Sequence, residues 1–222
     1  MDEDFQGALR PTFMIDSDHP AVMAFARENV AAASSDKAKA IALYYAVRDG
    51  FRYDGYRIDW SPVGLRASTV LSNGYGWCVP KSNLLAAACR AVGVPARVGY
   101  ADVRNHLSTA RMREMMGTDI FYYHGYTSVR IDGCWVKATP AFNIELCAKM
   151  SLHPLEFDGE TDSIYHPYDL TGQRHMEYLG FRGEHDDVPH ADILRCMAEK
   201  YPYLSDLSAE NWDADIAAEA VS

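Results

Sequence analysis

Apolar residues recur at helical spacing in two stretches before position 50 and in one stretch after position 77. Residues 19–33 and 36–47 each present an apolar face, and Pro20 suits the first turn of the earlier helix. Residues 78–92 combine strong helix formers with an apolar face, then stop at Gly93 with Pro95 behind it. The pattern predicts three helices, and the one that begins at Cys78 has the clearest start and end.

Two further stretches have the character of strands, at 96–103 and 120–131. Asp132-Gly133 follows the second stretch and favours a two-residue hairpin turn. Residues 134–139 are therefore predicted to return antiparallel to 125–131, with Ile131 facing Cys134. Toward the end of the chain, helices are predicted over 190–201 and, in a more acidic stretch, over 206–221.

Two long stretches lack a regular pattern. Residues 51–76 are rich in Gly, Ser, Pro and aromatic residues, which predicts a long loop of the kind that forms pocket walls. Residues 150–189 are polar, and we interpret them as a long excursion over the surface. No repeat or linker divides the chain. We therefore expect one domain over 1–222, with a core at about 36–145 and the other elements packed on it.

Composition narrows the function classes. A formal net charge of -10 and a pI near 5.2 argue against a nucleic acid or an anionic membrane as partner. The first residues lack the pattern of a secretion signal, and no apolar run approaches membrane-spanning length, so a cytoplasmic protein is predicted. The five cysteines are odd in number and irregularly spaced, which predicts reduced thiols.

Cys78 stands where a glycine-rich segment ends and a helix begins, with Pro80 in the first turn. The helix dipole and the unpaired amide groups of a helix start favour an anion, so we expect a lowered thiol pKa at this position. The same amides suit the oxyanion of a tetrahedral intermediate. Cys78 is therefore the candidate nucleophile, whereas the other four cysteines lack such a setting and are predicted to be structural.

The predicted hairpin selects His124 from eight histidines as the candidate base. In its register, His124 lies opposite Ala141 and shares a face with Thr139, its diagonal neighbour. A residue that orients the imidazole should lie at such a position.

With these residues in place, the sequence resembles the transglutaminase-like superfamily of cysteine acyl transferases and peptidases. The resemblance rests on the Gly-x-Cys helix start with LLAAACRAVGVPARVGY after it, and on HGYTSVRIDGCWVKATPAFN, and it covers about residues 36–145. It implies a papain-like α+β fold, in which a helix bearing Cys78 as nucleophile packs on an antiparallel sheet carrying His124 as base.

The third catalytic position departs from the family pattern. Where the family has Asp-Pro-Thr, this chain has Thr139-Pro140-Ala141, so Thr139 stands in the place of the aspartate. A hydroxyl accepts a hydrogen bond from imidazole but does not stabilise imidazolium as a carboxylate does. Asn143 is the alternative third member, because it falls on the same face if the strand pairing extends that far. The aromatic residues predicted to line an acyl groove are Tyr75, Trp77 and Trp135.

These residues predict a cysteine-dependent amide or acyl hydrolase, or an acyl transferase, that works through a Cys78 thioester without a cofactor or metal. The expected substrate is a peptide, a protein or a small amide, and the oligomeric state is left open. One alternative is a catalytically silent binding or scaffold domain of the same fold. Another is a metal-dependent hydrolase that uses His185 and His190.

Overall fold

The protein was analysed as a computed structural model that describes residues 5–165, 167–201 and 211–219. A short 3-10 helix, Gln6–Leu9, precedes α1, Pro20–Asn29, and α2, Asp36–Gly50. The predicted helices at 19–33 and 36–47 are thus confirmed. The Ser35 hydroxyl accepts a hydrogen bond from the Ala38 amide at 3.2 Å, which satisfies an otherwise unpaired group at the start of α2.

The stretch 51–76, which was predicted to be a loop, holds three short elements: β1, Arg52–Tyr53, α3, Ala67–Asn73, and β2, Tyr75–Gly76. Strands β1 and β2 pair in parallel, so the glycine-rich approach to Cys78 is fixed by a ladder. Helix α4, Cys78–Ala91, follows as predicted. Its Leu84 and Leu85 side chains are completely buried, because α1–α3 lie on one side of this helix and the main sheet on the other.

Within the described residues the main sheet has four strands in the order β5-β4-β3-β6. The strands are β3, Ala96–Asn105, β4, Ile120–Ile131, β5, Cys134–Ala138, and β6, Met176–His185. The hairpin register is confirmed from Ile131–Cys134 to Thr127–Ala138. The ladder ends there, so the predicted pairing of His124 with Ala141 is not part of it. Strand β6 corrects the interpretation of 150–189 as a surface excursion, because it pairs antiparallel with β3 and forms the edge of the sheet.

Four further helices complete the description. Helices α5, Ala110–Met116, and α6, Ile144–Lys149, have no counterpart among the predicted elements. Helix α7, His190–Lys200, confirms the prediction over 190–201. Helix α8, Trp212–Glu219, lies within the predicted 206–221, of which 206–210 and 220–221 fall outside the described residues. None of the described helices combines the length and apolar character needed to cross a bilayer.

A bulge interrupts the pairing of β3 with β4 immediately before His124. Ala101 pairs with His124 but Val103 pairs with Phe121, so β4 carries one extra residue at this point. Tyr123 takes a φ of 56° here, a left-handed conformation that is uncommon for a bulky side chain. The bulge therefore sets the direction of the His124 side chain and stores backbone strain beside it.

Candidate active site

Cys78 is the first residue of α4, and its side chain is buried, with 8% of its surface exposed. The backbone N–H groups of Cys78, Val79 and Gly125 lie near the sulfur and act to lower the pKa of the thiol. Two of these amides belong to the helix start and the third to β4. The sulfur therefore lies at the contact between the helix and the sheet.

Gly125 makes this contact possible because it has no side chain. A Cβ at this position would lie 3.0 Å from Val79 Cα and 3.2 Å from the Cys78 carbonyl oxygen. Both neighbours are backbone atoms, which have little freedom to move away. The absence of a side chain after His124 is thus what lets β4 approach the first turn of α4.

His124 is buried, with 4% of its surface exposed, and it lines the same cavity as Cys78. Its Nε2 atom has no hydrogen-bond partner among the described residues. Burial lowers the pKa of His124 to about 4, and the nearby His175 adds to this effect. The imidazole of the free protein is therefore neutral at pH 7.

The pKa of the Cys78 thiol corrects the expectation drawn from its helix start. Burial raises this pKa to about 11, and the three backbone amides offset the effect only in part. The Cys78 thiol and the His124 imidazole, which line the same cavity, are therefore both neutral at pH 7.

Thr139 is buried, with 1% of its surface exposed, and its backbone is held on both sides. Its N–H donates to the Ser163 carbonyl at 3.1 Å, and its carbonyl accepts from the Tyr44 hydroxyl at 3.3 Å. Burial raises the pKa of Tyr178 to about 12, and the Thr139 hydroxyl offsets this in part, but Oγ1 meets hydrogen-bond geometry with no partner in the described part of the chain. Among the described residues, Thr139 Oγ1 and His124 Nε2 are thus both buried without a hydrogen-bond partner.

Asn143 follows β5 rather than belonging to it, because the β4–β5 pairing ends at Thr127 and Ala138. Its Oδ1 accepts from the Tyr53 backbone N–H at 3.0 Å, and its Nδ2 donates to Glu145 at 2.6 Å. Its side-chain oxygen and nitrogen thus both have partners other than His124.

An aromatic cluster, which sequence reasoning missed, surrounds the imidazole. The Tyr165 ring lies 5.3 Å from the His124 ring and 5.4 Å from the His175 ring, between centroids. His175 is 3% exposed and directly precedes β6. Both residues fall in the stretch 150–189, so their approach to the site could be found only by recognising that β6 joins the sheet.

Lys81 lies one helical turn after Cys78 and is completely buried. Its ammonium donates to three backbone carbonyls, those of Arg48 at 2.9 Å, Phe51 at 2.6 Å and Ala141 at 2.7 Å. Burial lowers its pKa to about 7, although three carbonyl acceptors match the three donors of the charged form. Lys81 thereby ties the helix that begins at Cys78 to the segment that carries Thr139.

The bulge before His124 is held by a charged pair. The Asp102 carboxylate accepts from Arg182 at 2.5 and 2.8 Å and from the Tyr123 backbone N–H at 3.2 Å. The guanidinium also lies 4.4 Å from the centre of the Tyr123 ring. Asp102 thus fixes the strained residue that precedes the candidate base.

Of the three aromatic residues predicted to line a groove, Trp77 lines the cavity beside Cys78, packed against Trp60 with ring centroids 4.5 Å apart. Tyr75 instead lies under the Arg57 guanidinium at 4.9 Å. Trp135 lies under Arg97 at 4.6 Å, on the outer strand β5. The structure thus brings Cys78, His124 and Trp77 together and places Tyr75 and Trp135 outside the cavity lining.

The two histidines of the metal-site alternative are at the end of β6 and the start of α7. His190 Nε2 donates to the Trp60 carbonyl at 2.7 Å, and the His185 ring lies 6.0 Å from the Tyr100 ring. In the described ranges, no group of three or more His, Cys, Asp or Glu side chains is arranged to hold a metal ion.

Comparison with known proteins matched one family and several solved structures. The sequence model of the family described as Transglutaminase-like superfamily matches residues 23–140, more than half of the chain. A putative cysteine protease from Cytophaga hutchinsonii superposes with a TM-score of 0.50 at 17% identity, over 83% of this chain and 55% of that one. A putative protease from Parabacteroides distasonis gives a TM-score of 0.38 at 16% identity, over 57% of this chain and 26% of that one.

The search of curated proteins gave no match. This chain spans about half of the length of the Cytophaga hutchinsonii protein and about a quarter of the length of the Parabacteroides distasonis protein. The family match and the first superposition agree with the described architecture, a cysteine-bearing helix packed on an antiparallel sheet that carries a histidine.

Proposed function

Because this chain belongs to the transglutaminase-like superfamily and has a papain-like core, we propose that it is a cysteine-dependent acyl hydrolase that acts through a thioester on Cys78. The observation that carries the proposal is the shared cavity of Cys78 and His124. The sulfur lies at a helix start, and a neutral imidazole lines the same space.

In the proposed reaction, the Cys78 sulfur attacks the carbonyl carbon of an amide or ester while His124 takes the thiol proton. Attack and proton transfer occur together, since both groups are neutral at rest. In this scheme the Cys78 backbone N–H donates a hydrogen bond to the oxyanion. The C–N or C–O bond then breaks, and the imidazolium returns its proton to the leaving amine or alkoxide.

Water completes the cycle. His124 takes a proton from water as the hydroxide adds to the thioester carbonyl, the C–S bond breaks, and the sulfur regains the proton. An amine in place of water would make the protein an acyl transferase. We favour water because no acceptor-amine site is identified among the described residues.

Acylation of Cys78 is the decisive test. Short p-nitrophenyl esters should release nitrophenol and leave an acyl adduct on Cys78, visible in the intact mass. Cys78→Ala should abolish the adduct, and His124→Ala should slow acylation about 10²–10⁴-fold. Cys134→Ala is the matched control, because Cys134 is an exposed thiol that could react without catalysis. Adduct formation confined to Cys134 would contradict the proposal.

The pH dependence of kcat/KM tests whether the Cys78 thiol and the His124 imidazole are both neutral in the free enzyme. With a base of pKa about 4 and a thiol of pKa about 11, kcat/KM should stay level between pH 6.5 and 10. A bell-shaped profile centred near pH 7 would instead indicate an ion pair in the free enzyme.

A catalytically silent binding domain is the second candidate function. It is favoured by Thr139 in the position of an aspartate and by the raised thiol pKa of Cys78. Peptide binding that survives Cys78→Ala, in a protein that forms no adduct with any ester or amide, would establish this alternative.

A further inference from the structure

A cavity beside Cys78 is lined by aromatic residues and by a group of methionines. Four of the nine methionines of the chain line it, Met112, Met115 and Met116 from α5 and Met197 from α7. Unbranched thioether side chains adapt their shape and are common at surfaces that accept varied apolar ligands. Their concentration at the candidate nucleophile therefore points to an apolar ligand there.

The remaining lining is aromatic or aliphatic, apart from Gly55, Cys78 and His124. Among the lining residues that the structure describes, none carries a carboxylate, an ammonium or a guanidinium. A charged group that entered this cavity would lose water without gaining a partner of opposite charge. The lining thus selects against acidic and basic side chains.

The size of the cavity bounds the ligand. Its volume is about 50 Å³. Because a water-sized group needs roughly 10–15 Å³ of such space, the cavity holds about four groups of that size. An unbranched chain of about four carbons, or a side chain of the same size, fits this space.

Helix α5 is anchored as a wall of the cavity. The Thr109 hydroxyl accepts from the Met112 amide at 3.1 Å and lies 2.8 Å from the Tyr56 hydroxyl. Met112 and Met116 are buried, whereas Met115 is half-buried. Met115 is therefore the lining side chain that can be shortened with least effect on folding.

We propose that this methionine-lined cavity binds the apolar part of the substrate's acyl group, so that the substrates are amides or esters of short aliphatic acyl groups with about four carbons beyond the carbonyl. This inference rests on the proposed function, because it places the acyl carbonyl at Cys78.

A series of p-nitrophenyl esters from acetate to decanoate tests the chain length, since every member has the same leaving group. The value of kcat/KM should be highest near pentanoate and should fall at least tenfold by decanoate. Met115→Ala removes three side-chain atoms, so its optimum should move to about octanoate. Met23→Ala, a half-buried methionine of α1 outside the cavity lining, should keep the wild-type optimum. An optimum that Met115→Ala does not move would overturn the inference.

A binding measurement separates this inference from the proposed function. In Cys78→Ala with isotope-labelled methionine methyl groups, pentanamide should shift the NMR signals of the four lining methionines. Glutaramate, which has a carboxylate at the far end, should bind at least tenfold more weakly. If the methyl signals shift but the wild type is not acylated, the cavity binds apolar ligands and the proposed hydrolase function is wrong. If the wild type is acylated but the methyl signals do not shift, the hydrolase function stands and the inference about the cavity is wrong.

Discussion

The buried imidazole of His124 predicts a specific loss of stability in acid. Its pKa is lowered from 6.5 to about 4 by burial and by the nearby His175. In the unfolded chain the same side chain is expected to titrate near its ordinary value of about 6.5. Between pH 6.5 and about 4, His124 is therefore protonated in the unfolded chain but not in the folded protein. The stability contributed by the neutral imidazole is complete above pH 6.5 and is lost as the pH falls toward 4.

The magnitude follows from the same two values. A tenfold change in proton affinity corresponds to about 1.4 kcal/mol. The change from 6.5 to about 4 at His124 therefore corresponds to about 3 kcal/mol of unfolding free energy. This is a sizeable part of the stability of an ordinary domain. Below pH 4 both states are protonated at this site, and no further loss is expected from it.

The assay is urea unfolding at a series of pH values between 7.5 and 4, for the wild type and for His124→Gln. Other groups destabilise both proteins in acid, so the informative quantity is the difference between their unfolding free energies. That difference should change by about 3 kcal/mol across the range, with the wild type losing more. NMR titration of the His124 ring in the folded wild type gives the pKa directly.

Two results would refute the reasoning. The first is a pair of stability curves that stay parallel from pH 7.5 to 4. The second is a His124 ring that titrates at or above pH 6.5 in the folded protein, which would show that burial does not disfavour the charged imidazole.

Three further substitutions test the supports of the site. Gly125→Ala should cost about 1–3 kcal/mol in urea unfolding, because its Cβ meets backbone atoms. Gly180→Ala, where a Cβ meets nothing within 4 Å, should cost less than about 0.5 kcal/mol, and equal costs would contradict the close contact. Asp102→Asn should lower kcat and reduce the unfolding free energy by about 1–3 kcal/mol, because it weakens the hydrogen bonds that link Tyr123 in the bulge to Arg182. Glu177→Gln breaks a more exposed pair between the same strands and should leave kcat unchanged. Lys81→Met should cost at least about 3 kcal/mol by leaving three carbonyls unpaired, and a smaller loss in urea unfolding would show that these bonds contribute little.

The parts of the fold that sequence predicts well are those with local signals. Gly93 and Pro95 mark the end of the cysteine helix, and Asp132-Gly133 fixes the register of β4 with β5. Strand β6 has no such signal for its partner, because it pairs with residues more than 70 positions earlier. Its place at the sheet edge leaves Phe181 half exposed, which weakens the expected alternation of apolar and polar residues.

The candidate site divides in the same way. The helix start at Cys78 is a local property, but the burial that raises its pKa depends on packing across the whole fold. The surroundings of His124 include Tyr165 and His175, which β6 and its preceding segment bring in from a distant part of the chain. The identity of the residue that orients the imidazole therefore remains a prediction, with Thr139 and Asn143 as the sequence candidates.

The carbonyl groups that surround the Lys81 ammonium make local opening near Cys78 cooperative. They belong to the end of α2, to the residue after it and to the segment after β5, so the charge is fully solvated by protein only when all three are in place. If one segment detaches, the buried ammonium loses one of its three hydrogen-bond acceptors. This loss destabilises the contacts of the other two segments with Lys81 and favours their opening. Amide hydrogen exchange should accordingly show residues 48–53 and 139–143 opening as a single unit with the first turn of α4. The backbone around the candidate nucleophile would then be either fully assembled or open as a whole.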